Sequence, residues 1–228
     1  MKQGISIIVP VWHEASIIHE AVSAILSLPY KGDREVIVVD GSPHGETIEA
    51  IRNPGVKTAL AEKGRSKQMN KGAALASGEI LFFVHVDTEL PEGALNALSS
   101  VMGQVGVVAG AFDLGIRSER PVFRIIEKAA SLRSRITRIP YGDQAIFVMR
   151  DYFRAMAGFR EIPLMEDLDF MKRIRKAGDK IVIIPEKVMT SPRRWEKEGI
   201  LYCTLRNWTL RTLYLLGIPP ETLAKLYP

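Results

Sequence analysis

Two aspartates follow apolar runs in the sequence and have the chemistry of a nucleotide or metal site. Asp40 comes directly after the run at 36–39, and Asp87 follows the run that begins at Leu81. Asp40 can accept hydrogen bonds from a base or a ribose there, or it can form a turn with the following glycine. Asp87 suits a divalent cation that also binds diphosphate oxygens, or it caps the next helix.

A third acidic position is a pair of adjacent residues, Glu166 and Asp167, at the start of a helical pattern that ends at Ala177. The helix dipole and capping favour acids in a first helical turn, so the pair also has a purely structural explanation. Acidic positions on three separate segments that converge on one sheet edge make a stronger case than any one of them. We therefore expect them to lie together.

A basic segment flanked by glycines, Gly64–Gly72, contains Arg65 and Lys67 and opens another predicted helix. A helix N-terminus and nearby cations together attract a phosphate group or a polar base. An ordinary surface helix can have the same composition. The segment therefore supports a nucleotide site only in combination with the acids.

The elements that must position these residues alternate between strands and helices. Short apolar runs predict strands at 5–9, 35–39, 56–60, 80–86, 107–112, 145–149 and 180–184. Helical patterns lie between them, at 14–28, 47–52, 66–76, 91–102, 122–134 and 167–177. The strand runs are apolar almost throughout, which is typical of strands covered on both faces by helices. We predict an α/β fold, Rossmann-like, with a mostly parallel sheet whose carboxyl edge binds the ligand.

Composition limits the classes of function. The chain has 228 residues and a net charge of +5, which suits nucleotide phosphates, nucleic acid or an anionic membrane. Its single cysteine, Cys203, excludes an intrachain disulfide. No run approaches the roughly 20 apolar residues of a transmembrane helix, and dinucleotide, P-loop and nucleophile-elbow motifs are absent. We expect a cytoplasmic protein, or one peripheral to the cytoplasmic membrane.

Two segments have a basic or amphipathic character of their own. The segment 116–140 carries seven basic residues and is either a solvated face or a surface near an anionic substrate or membrane. The region after 199 mixes Leu, Tyr and Trp with arginines and predicts one amphipathic helix at 201–216. That helix packs on the core or lies on a membrane.

Taken in order, these motifs resemble those of the family-two inverting glycosyltransferases, which have the nucleotide-diphosphosugar transferase (GT-A) fold. The resemblance covers Ile5 to about Trp195. The matching segments are Ser6–Pro10 with Glu14, Val36–Ser42, Gly64–Gly72, Leu81–Thr88, Gly158–Phe159, Glu166–Asp169 and Arg173–Gly178. A compact bacterial subgroup of unassigned substrate looks most similar at Gly64–Gly72, Tyr141–Gln144 and Ser191–Trp195.

The resemblance implies one GT-A domain at 1–198, with a nucleotide-binding half at about 1–90 and an acceptor half at about 91–198, followed by a helical tail at 199–228. It implies inverting transfer of a hexose-like sugar from a UDP- or GDP-linked donor to an acceptor hydroxyl. The hydroxyl has a high pKa, so a carboxylate must take its proton during attack. Asp167 is the expected general base, with Glu166 orienting the acceptor or acting as the base.

The resemblance also implies the binding residues. The nucleotide pocket is expected to contain Pro10, Glu14, Asp40, Arg65 and Lys67. The metal motif of the family usually has two acids around one residue, but here it is His85-Val86-Asp87, so only Asp87 carries over as a ligand for Mg²⁺ or Mn²⁺. The diphosphate or the acceptor is expected to contact Arg193, Arg194, Asp143 and Gln144.

Two other classes of function stay open. A nucleotidyltransferase that makes sugar nucleotides would usually have a glycine-rich loop after the first strand, and Val11–Ala15 contains no glycine. A non-catalytic nucleotide-sugar-binding protein would not need three acidic positions together. A peripheral membrane contact and a homodimer are both compatible with the tail, and nucleic acid is not an expected partner.

Overall fold

Every residue of the first strand, β1 (Ile5–Val11), is buried in the computed structural model, which describes residues 3–227. Its side chains alternate between two hydrophobic cores, with Ile7 and Val9 on one face of the sheet and Ile8 on the other. Helices cover both faces, which explains why the strand has no polar side.

The first half of the chain alternates strands and helices. After β1 come α1 (Ile18–Ser27), β2 (Arg34–Asp40), α2 (Glu46–Glu49), β3 (Lys57–Leu60), α3 (Arg65–Leu75), β4 (Ile80–Phe83), β5 (Thr88–Glu89) and α4 (Ala94–Met102). Strands β3, β2, β1 and β4 are neighbours in that order and are all parallel. Their carboxyl ends therefore meet at one edge of the sheet.

The second half completes the same sheet. It contains β6 (Val107–Ile116), α5 (Pro121–Thr137), a 3-10 turn (Gly142–Gln144), β7 (Phe147–Met149), α6 (Arg150–Ala155), α7 (Glu166–Ala177), β8 (Lys180–Thr190), α8 (Arg193–Glu198), α9 (Ile200–Leu215) and α10 (Pro220–Ala224). Strand β7 is antiparallel to both β4 and β6, and β8 is parallel to β6. Strands β4, β6 and β8 therefore end at the same edge, next to the end of β1.

The described residues form an eight-stranded sheet in the order β3-β2-β1-β4-β7-β6-β8-β5. The predicted α/β fold with a mostly parallel sheet and a helical tail is confirmed. Helices α1 and α4 cover one face, and α3, α6 and α7 cover the other. None of the described helices is both long and apolar enough to cross a membrane.

A cluster of phenylalanines fixes the start of α7. Phe83, Phe153, Phe159 and Phe170 have neighbouring ring centroids 4.9 to 5.5 Å apart. Such aromatic pairs contribute about 0.5–1.5 kcal/mol each beyond the area that they bury. Phe83 ends β4 and Phe170 lies one turn into α7, so the cluster ties the first turn of α7 to the sheet edge.

Several predicted boundaries differ from the structure. The helix predicted at 91–102 begins at Ala94, because Pro91 belongs to a turn in which its carbonyl accepts the N–H of Ala94. Strand β4 ends at Phe83, three residues before the predicted end. Strands β6 and β8 extend to Ile116 and Thr190, because they pair with each other over that length.

Candidate active site

A cleft of about 800 Å³ opens at the carboxyl edge of the sheet. Its walls come from the end of β1 and the segments that follow β1, β4 and β8, from the start of α3, from the 3-10 turn, from the start of α7 and from the tail. Nine of the predicted site residues line it: Pro10, Glu14, Arg65, Asp87, Asp143, Glu166, Asp167, Arg193 and Arg194. The structure thus brings together residues that the sequence places on six separate segments.

Asp40 lies outside this lining and is fully buried. Its Oδ1 accepts the N–H of Ser42 at 2.8 Å, and its Oδ2 accepts the N–H of Thr47 at 3.1 Å. The carboxylate therefore holds the loop between β2 and α2, as the turn-forming alternative predicts. Contact with a nucleotide base stays a prediction, and it requires this loop to move.

Lys67 and Gln144 also lie outside the lining. Lys67 forms an ion pair with Glu62 on the surface. Gln144 is fully buried, and its Oε1 accepts the hydroxyl of Ser134 at 2.6 Å while its Nε2 donates to the carbonyl of Phe112 at 2.9 Å. Gln144 therefore anchors the 3-10 turn to β6 and α5. Its effect on the cleft is indirect, because it fixes the position of this turn.

Arg193, which follows β8, links the acids that follow β1 and β4. Its Nη2 donates to Glu14 Oε1 at 2.6 Å, and its Nε lies 3.3 Å from Asp87 Oδ2. Burial raises the pKa of Glu14, and the charge of Arg193 opposes this effect without cancelling it. A planar guanidinium binds phosphate as well as carboxylate. The guanidinium of Arg193 is therefore already oriented by two carboxylates in the cleft.

Asp87 could supply one ligand of a cation site. Among the residues that the structure describes, no group of three or more His, Cys, Asp or Glu side chains could hold a metal ion alone. Burial, followed by the charges of Arg65 and Arg193, lowers the pKa of His85 to about 3, so its imidazole is neutral at pH 7. One carboxylate suits a divalent cation that takes its remaining ligands from substrate phosphates.

Two backbone N–H groups hold the carboxylate of Asp167. The N–H of Gly142 donates to Oδ2 at 2.5 Å, and the N–H of Leu168 donates to Oδ1 at 2.6 Å. A Cβ at position 142 would lie 3.1 Å from His85 Nε2 and 3.3 Å from Asp167 Oδ2, so glycine allows the close approach. An oriented carboxylate in a cleft has the geometry of a general base.

Glu166 is buried beside Asp167, and its Oε1 has no hydrogen-bond partner among the described residues. Arg65 Nη1 lies 3.7 Å away. Burial raises the pKa of Glu166, although Arg65 opposes the shift. Met165, just before it, has φ of 70°, in the left-handed region that non-glycine residues rarely adopt. Such strain is typical of functional sites.

Three further polar atoms of cleft-lining residues have neither a hydrogen-bond nor an ion-pair partner within the described part of the chain. They are Asp143 Oδ1, Tyr141 Oη and Trp195 Nε1, and all three are buried atoms of residues that line the cleft. Burial raises the pKa of Asp143 to about 6; Arg133 opposes the shift and Asp167 adds to it. Because buried polar groups are nearly always paired in native proteins, this side of the cleft suits a polar ligand.

A family model described as glycosyl transferase family 2 matches residues 6–166 of the chain. The chain belongs to glycosyltransferase family 2. The match begins in β1 and ends at Glu166, so it contains the segments that supply Glu14, Asp87 and the 3-10 turn. The resemblance drawn from the sequence motifs is confirmed.

Two curated relatives of this family 2 glycosyltransferase are also glycosyltransferases by name. An uncharacterized glycosyltransferase of Rickettsia felis is 24% identical over 212 residues, which cover 86% of this chain and 35% of the relative. The probable glycosyltransferase YdaM of Bacillus subtilis is 24% identical over 238 residues, covering 93% of this chain and 54% of the relative. The chain thus spans between a third and somewhat over half of these relatives.

Solved structures support the fold of the family 2 domain. The mannosyltransferase PcManGT from Pyrobaculum calidifontis, in complex with GDP-Man and Mn²⁺, matches with a TM-score of 0.69 and 22% identity over 93% of this chain and 61% of that one. TarS residues 1–349 from S. aureus match with a TM-score of 0.63 and 18% identity over 84% of this chain and 61% of that one. At these identities the likeness shows the GT-A fold.

The tail of this glycosyltransferase supplies one wall of the cleft, which the sequence did not predict. Asn207, Leu210 and Arg211 of α9 line the cleft, together with Tyr227. The guanidinium carbon of Arg194 lies 4.4 Å from the ring centroid of Tyr227. An amphipathic pattern predicts a helix with a buried face, but it does not identify what that face contacts.

Gln68 is a second residue whose role the sequence did not predict. Its Nε2 donates to the carbonyl of Val11 at 2.6 Å and to that of Val39 at 3.0 Å. It therefore joins the carboxyl ends of β1 and β2 from α3. A Cβ at Gly41 would lie 2.9 Å from its side chain, so the glycine after Asp40 makes room for this contact. The only signal in the sequence was the position of Gln68 within the basic segment Gly64–Gly72.

Proposed function

We propose that the chain transfers a sugar from a nucleotide diphosphate sugar to an acceptor hydroxyl, with inversion at the anomeric carbon. The observation that carries this proposal is the shared cleft: the carboxylate of Asp167, oriented by Gly142, faces the same space as the guanidinium of Arg193. The first provides a base for the acceptor, and the second provides positive charge for the leaving diphosphate. Membership of glycosyltransferase family 2 agrees with these two roles.

On the donor side, Pro10, Glu14 and Arg65 contact the nucleotide, and Arg193 receives the diphosphate. Negative charge builds on the diphosphate as its bond to the sugar breaks, so a preorganised guanidinium stabilises the transition state more than the ground state. Arg194 adds a second cation at the cleft wall. The donor is UDP- or GDP-linked, and the GDP-Man complex of the Pyrobaculum neighbour favours trying the guanosine donor first.

Asp87 would hold the divalent cation, Mg²⁺ or Mn²⁺, with the diphosphate oxygens completing its ligands. When bound, such an ion stabilises negative charge on phosphate oxygens. Arg193 already lies against Asp87 Oδ2. In this proposal the negative charge of the diphosphate would be neutralised by two groups, the guanidinium of Arg193 and the divalent cation.

On the acceptor side, Asp167 accepts the proton of the attacking hydroxyl. Glu166 is buried beside it with a raised pKa, and its Oε1, which accepts no hydrogen bond from the described residues, orients the acceptor. Asp143, Tyr141 and Trp195 offer the remaining polar contacts. The acceptor hydroxyl attacks from the side of Asp167, opposite the leaving diphosphate, so the configuration of the anomeric carbon is inverted.

A ligand screen followed by a transfer assay tests the proposal. Nucleoside diphosphates and their sugar conjugates are added with and without Mn²⁺, and the correct donor raises the melting temperature through binding to the native state. Sugar transfer to a panel of acceptors is then followed by mass spectrometry. Release of pyrophosphate from a nucleoside triphosphate and a sugar phosphate would instead indicate a nucleotidyltransferase. Donor binding without turnover across the panel would favour a binding protein.

A further inference from the structure

Helix α5 exposes an apolar stripe to solvent. Ile125, Leu132 and Ile136 are 59 to 70% exposed, and Val122 is 39% exposed. Their spacing of three, seven and four residues places them on one side of the helix. The opposite side, with Phe123 and Ser131, is buried against the domain. The described residues leave this stripe without a packing partner.

Helix α9 has a similar stripe. Leu201, Leu205 and Trp208 are 51 to 74% exposed, and Leu215 continues the same side of the helix. The other side of α9 is occupied, because Leu210 and Arg211 line the cleft. A single exposed leucine is ordinary on a protein surface, but two stripes of large apolar residues mark an interaction site.

Helices α5 and α9 share neighbours at both of their ends. Ile200, at the start of α9, packs in one cluster with Phe123, at the start of α5. Further along, the guanidinium carbons of Arg133 and Arg211 lie 3.4 and 5.9 Å from the same ring centroid, that of Tyr141. Because the starts share one cluster and the later turns share Tyr141, the helices run in the same general direction. We treat their two stripes together as one surface, here called the α5–α9 surface.

Positive charge is concentrated on the α5 side of this surface. Residues 117–138 contain seven basic and two acidic residues, a net charge of +5 that equals the net charge of the whole chain. Arg120, Lys128 and Arg138 form no ion pair with the described residues. An apolar stripe beside unpaired cations is the composition of a helix that lies in a membrane interface.

We propose that the α5–α9 surface docks on an anionic lipid bilayer, with its apolar stripes among the acyl chains and its cations at the headgroups. Charge decides between this occupant and a second copy of the chain. Two copies would bring their positive segments together and repel, whereas anionic headgroups complement them. The docking does not depend on the proposed function, because the cleft lies on the other side of α9.

Vesicle binding tests the docking. The full chain is mixed with vesicles of phosphatidylcholine alone or of phosphatidylcholine with phosphatidylglycerol, and bound protein is measured by sedimentation. We expect binding to the anionic vesicles, a loss of binding at high salt, and a blue shift in tryptophan fluorescence that disappears in Trp208→Phe. The variants Leu132→Glu and Leu205→Glu are expected to weaken binding by about tenfold or more, and Lys128→Glu by about fivefold.

Val105→Glu provides the matched control, because Val105 is 97% exposed and lies between α4 and β6. It is expected to bind vesicles like the wild type. Melting temperature and nucleotide binding are measured for every variant, so that a folding defect or a wrong proposed function is recognised separately. Absence of anionic-vesicle binding, binding that Leu132→Glu leaves unchanged, or a dimer in light scattering that Leu132→Glu dissociates would each overturn the proposal.

Discussion

The backbone N–H of Gly142 donates a hydrogen bond of 2.5 Å to Oδ2 of Asp167. The donor belongs to the 3-10 turn and the acceptor to the first turn of α7, so the contact joins two segments separated by 25 residues. Together with the N–H of Leu168 on Oδ1, it orients the carboxylate before any substrate binds. A carboxylate that is already oriented loses little further conformational freedom when a reaction begins. Orientation of this kind therefore lowers the activation barrier for proton transfer.

Replacing the proposed base tests the chemical step. Asp167→Asn keeps the size of the side chain but removes its ability to accept a proton. We expect kcat to fall by roughly 10²–10⁴-fold, while the donor affinity measured by calorimetry stays close to that of the wild type. Asp151→Asn, at a carboxylate that is 89% exposed on α6, is the control and should keep full activity. Near-normal turnover of Asp167→Asn would remove Asp167 from the role of base.

A smaller change tests the orientation of that base. In Gly142→Ala the new methyl group lies 3.1 Å from His85 Nε2 and 3.3 Å from Asp167 Oδ2, so the carboxylate must shift by a few tenths of an ångström. We expect kcat to fall by about tenfold with little change in donor KM. Gly93→Ala adds the same methyl group where no atom lies within 4 Å, and it should leave kcat unchanged. Equal kcat values for both variants would show that the contact does not position the base.

The bridge made by Arg193 predicts opposite effects on two ligands. Arg193→Ala removes the cation that would meet the diphosphate, so donor binding should weaken by about tenfold or more. The same change frees Asp87 Oδ2 and leaves it near Glu14, so Mn²⁺ in the absence of donor should bind more tightly. Titrations by calorimetry measure both. Arg193→Lys keeps the positive charge with fewer hydrogen-bond donors, so both affinities should lie between those of the wild type and those of Arg193→Ala. A change of both affinities in the same direction would contradict the bridge.

Glu35, at the amino end of the sheet, predicts how stability depends on pH. It is partly buried, which raises its pKa, but Lys57, the hydroxyls of Ser6 and Ser77 and the N–H of Ser77 outweigh this effect and lower the pKa to about 2. Its stabilisation is therefore complete above pH 4.5 and is lost as the pH falls toward 2. Glu35→Gln should lower the free energy of unfolding by about 3 kcal/mol at pH 7 and by less than half of that, about 1 kcal/mol, at pH 3.

Urea unfolding at both pH values measures this difference. The exposed Glu92→Gln is the control, and it should have little effect at either pH. A loss of stability in Glu35→Gln that is the same at pH 3 and pH 7 would mean that the charge of Glu35 is not the stabilising feature.

Local sequence patterns were sufficient to predict the residues at strand and helix ends. Asp87 and Asp167 could be predicted because an acid after an apolar run, or at the start of a helix, lies at the sheet edge. This placement does not depend on contacts with distant residues. The end of β8 was missed because Pro185, Glu186 and Lys187 interrupt its apolar pattern. Pairing with β6 continues the strand past a register shift after Phe112, and a single sequence carries no signal of that pairing.

The roles of several site residues depend on contacts between distant segments. Asp40 has the same local signal as Asp87, but the loop that follows it folds back and occupies both of its oxygens. Gln144 lies next to Asp143 in sequence, yet it points into α5 and β6. These outcomes follow from tertiary packing, which decides whether a polar side chain at a turn serves the ligand or the fold.

The ion pair between Glu14 and Arg193 joins residues 179 positions apart. The parallel strands β1 to β4 are complete by residue 83, whereas Arg193 follows the last strand of the chain. A nascent chain emerging from the ribosome can therefore pair its first four strands while Glu14 and Asp87 still face each other as two negative charges. Synthesis of β8 then delivers the arginine between them. The proposed donor pocket would thus be completed only late in translation, when Arg193 offsets the charges of Glu14 and Asp87.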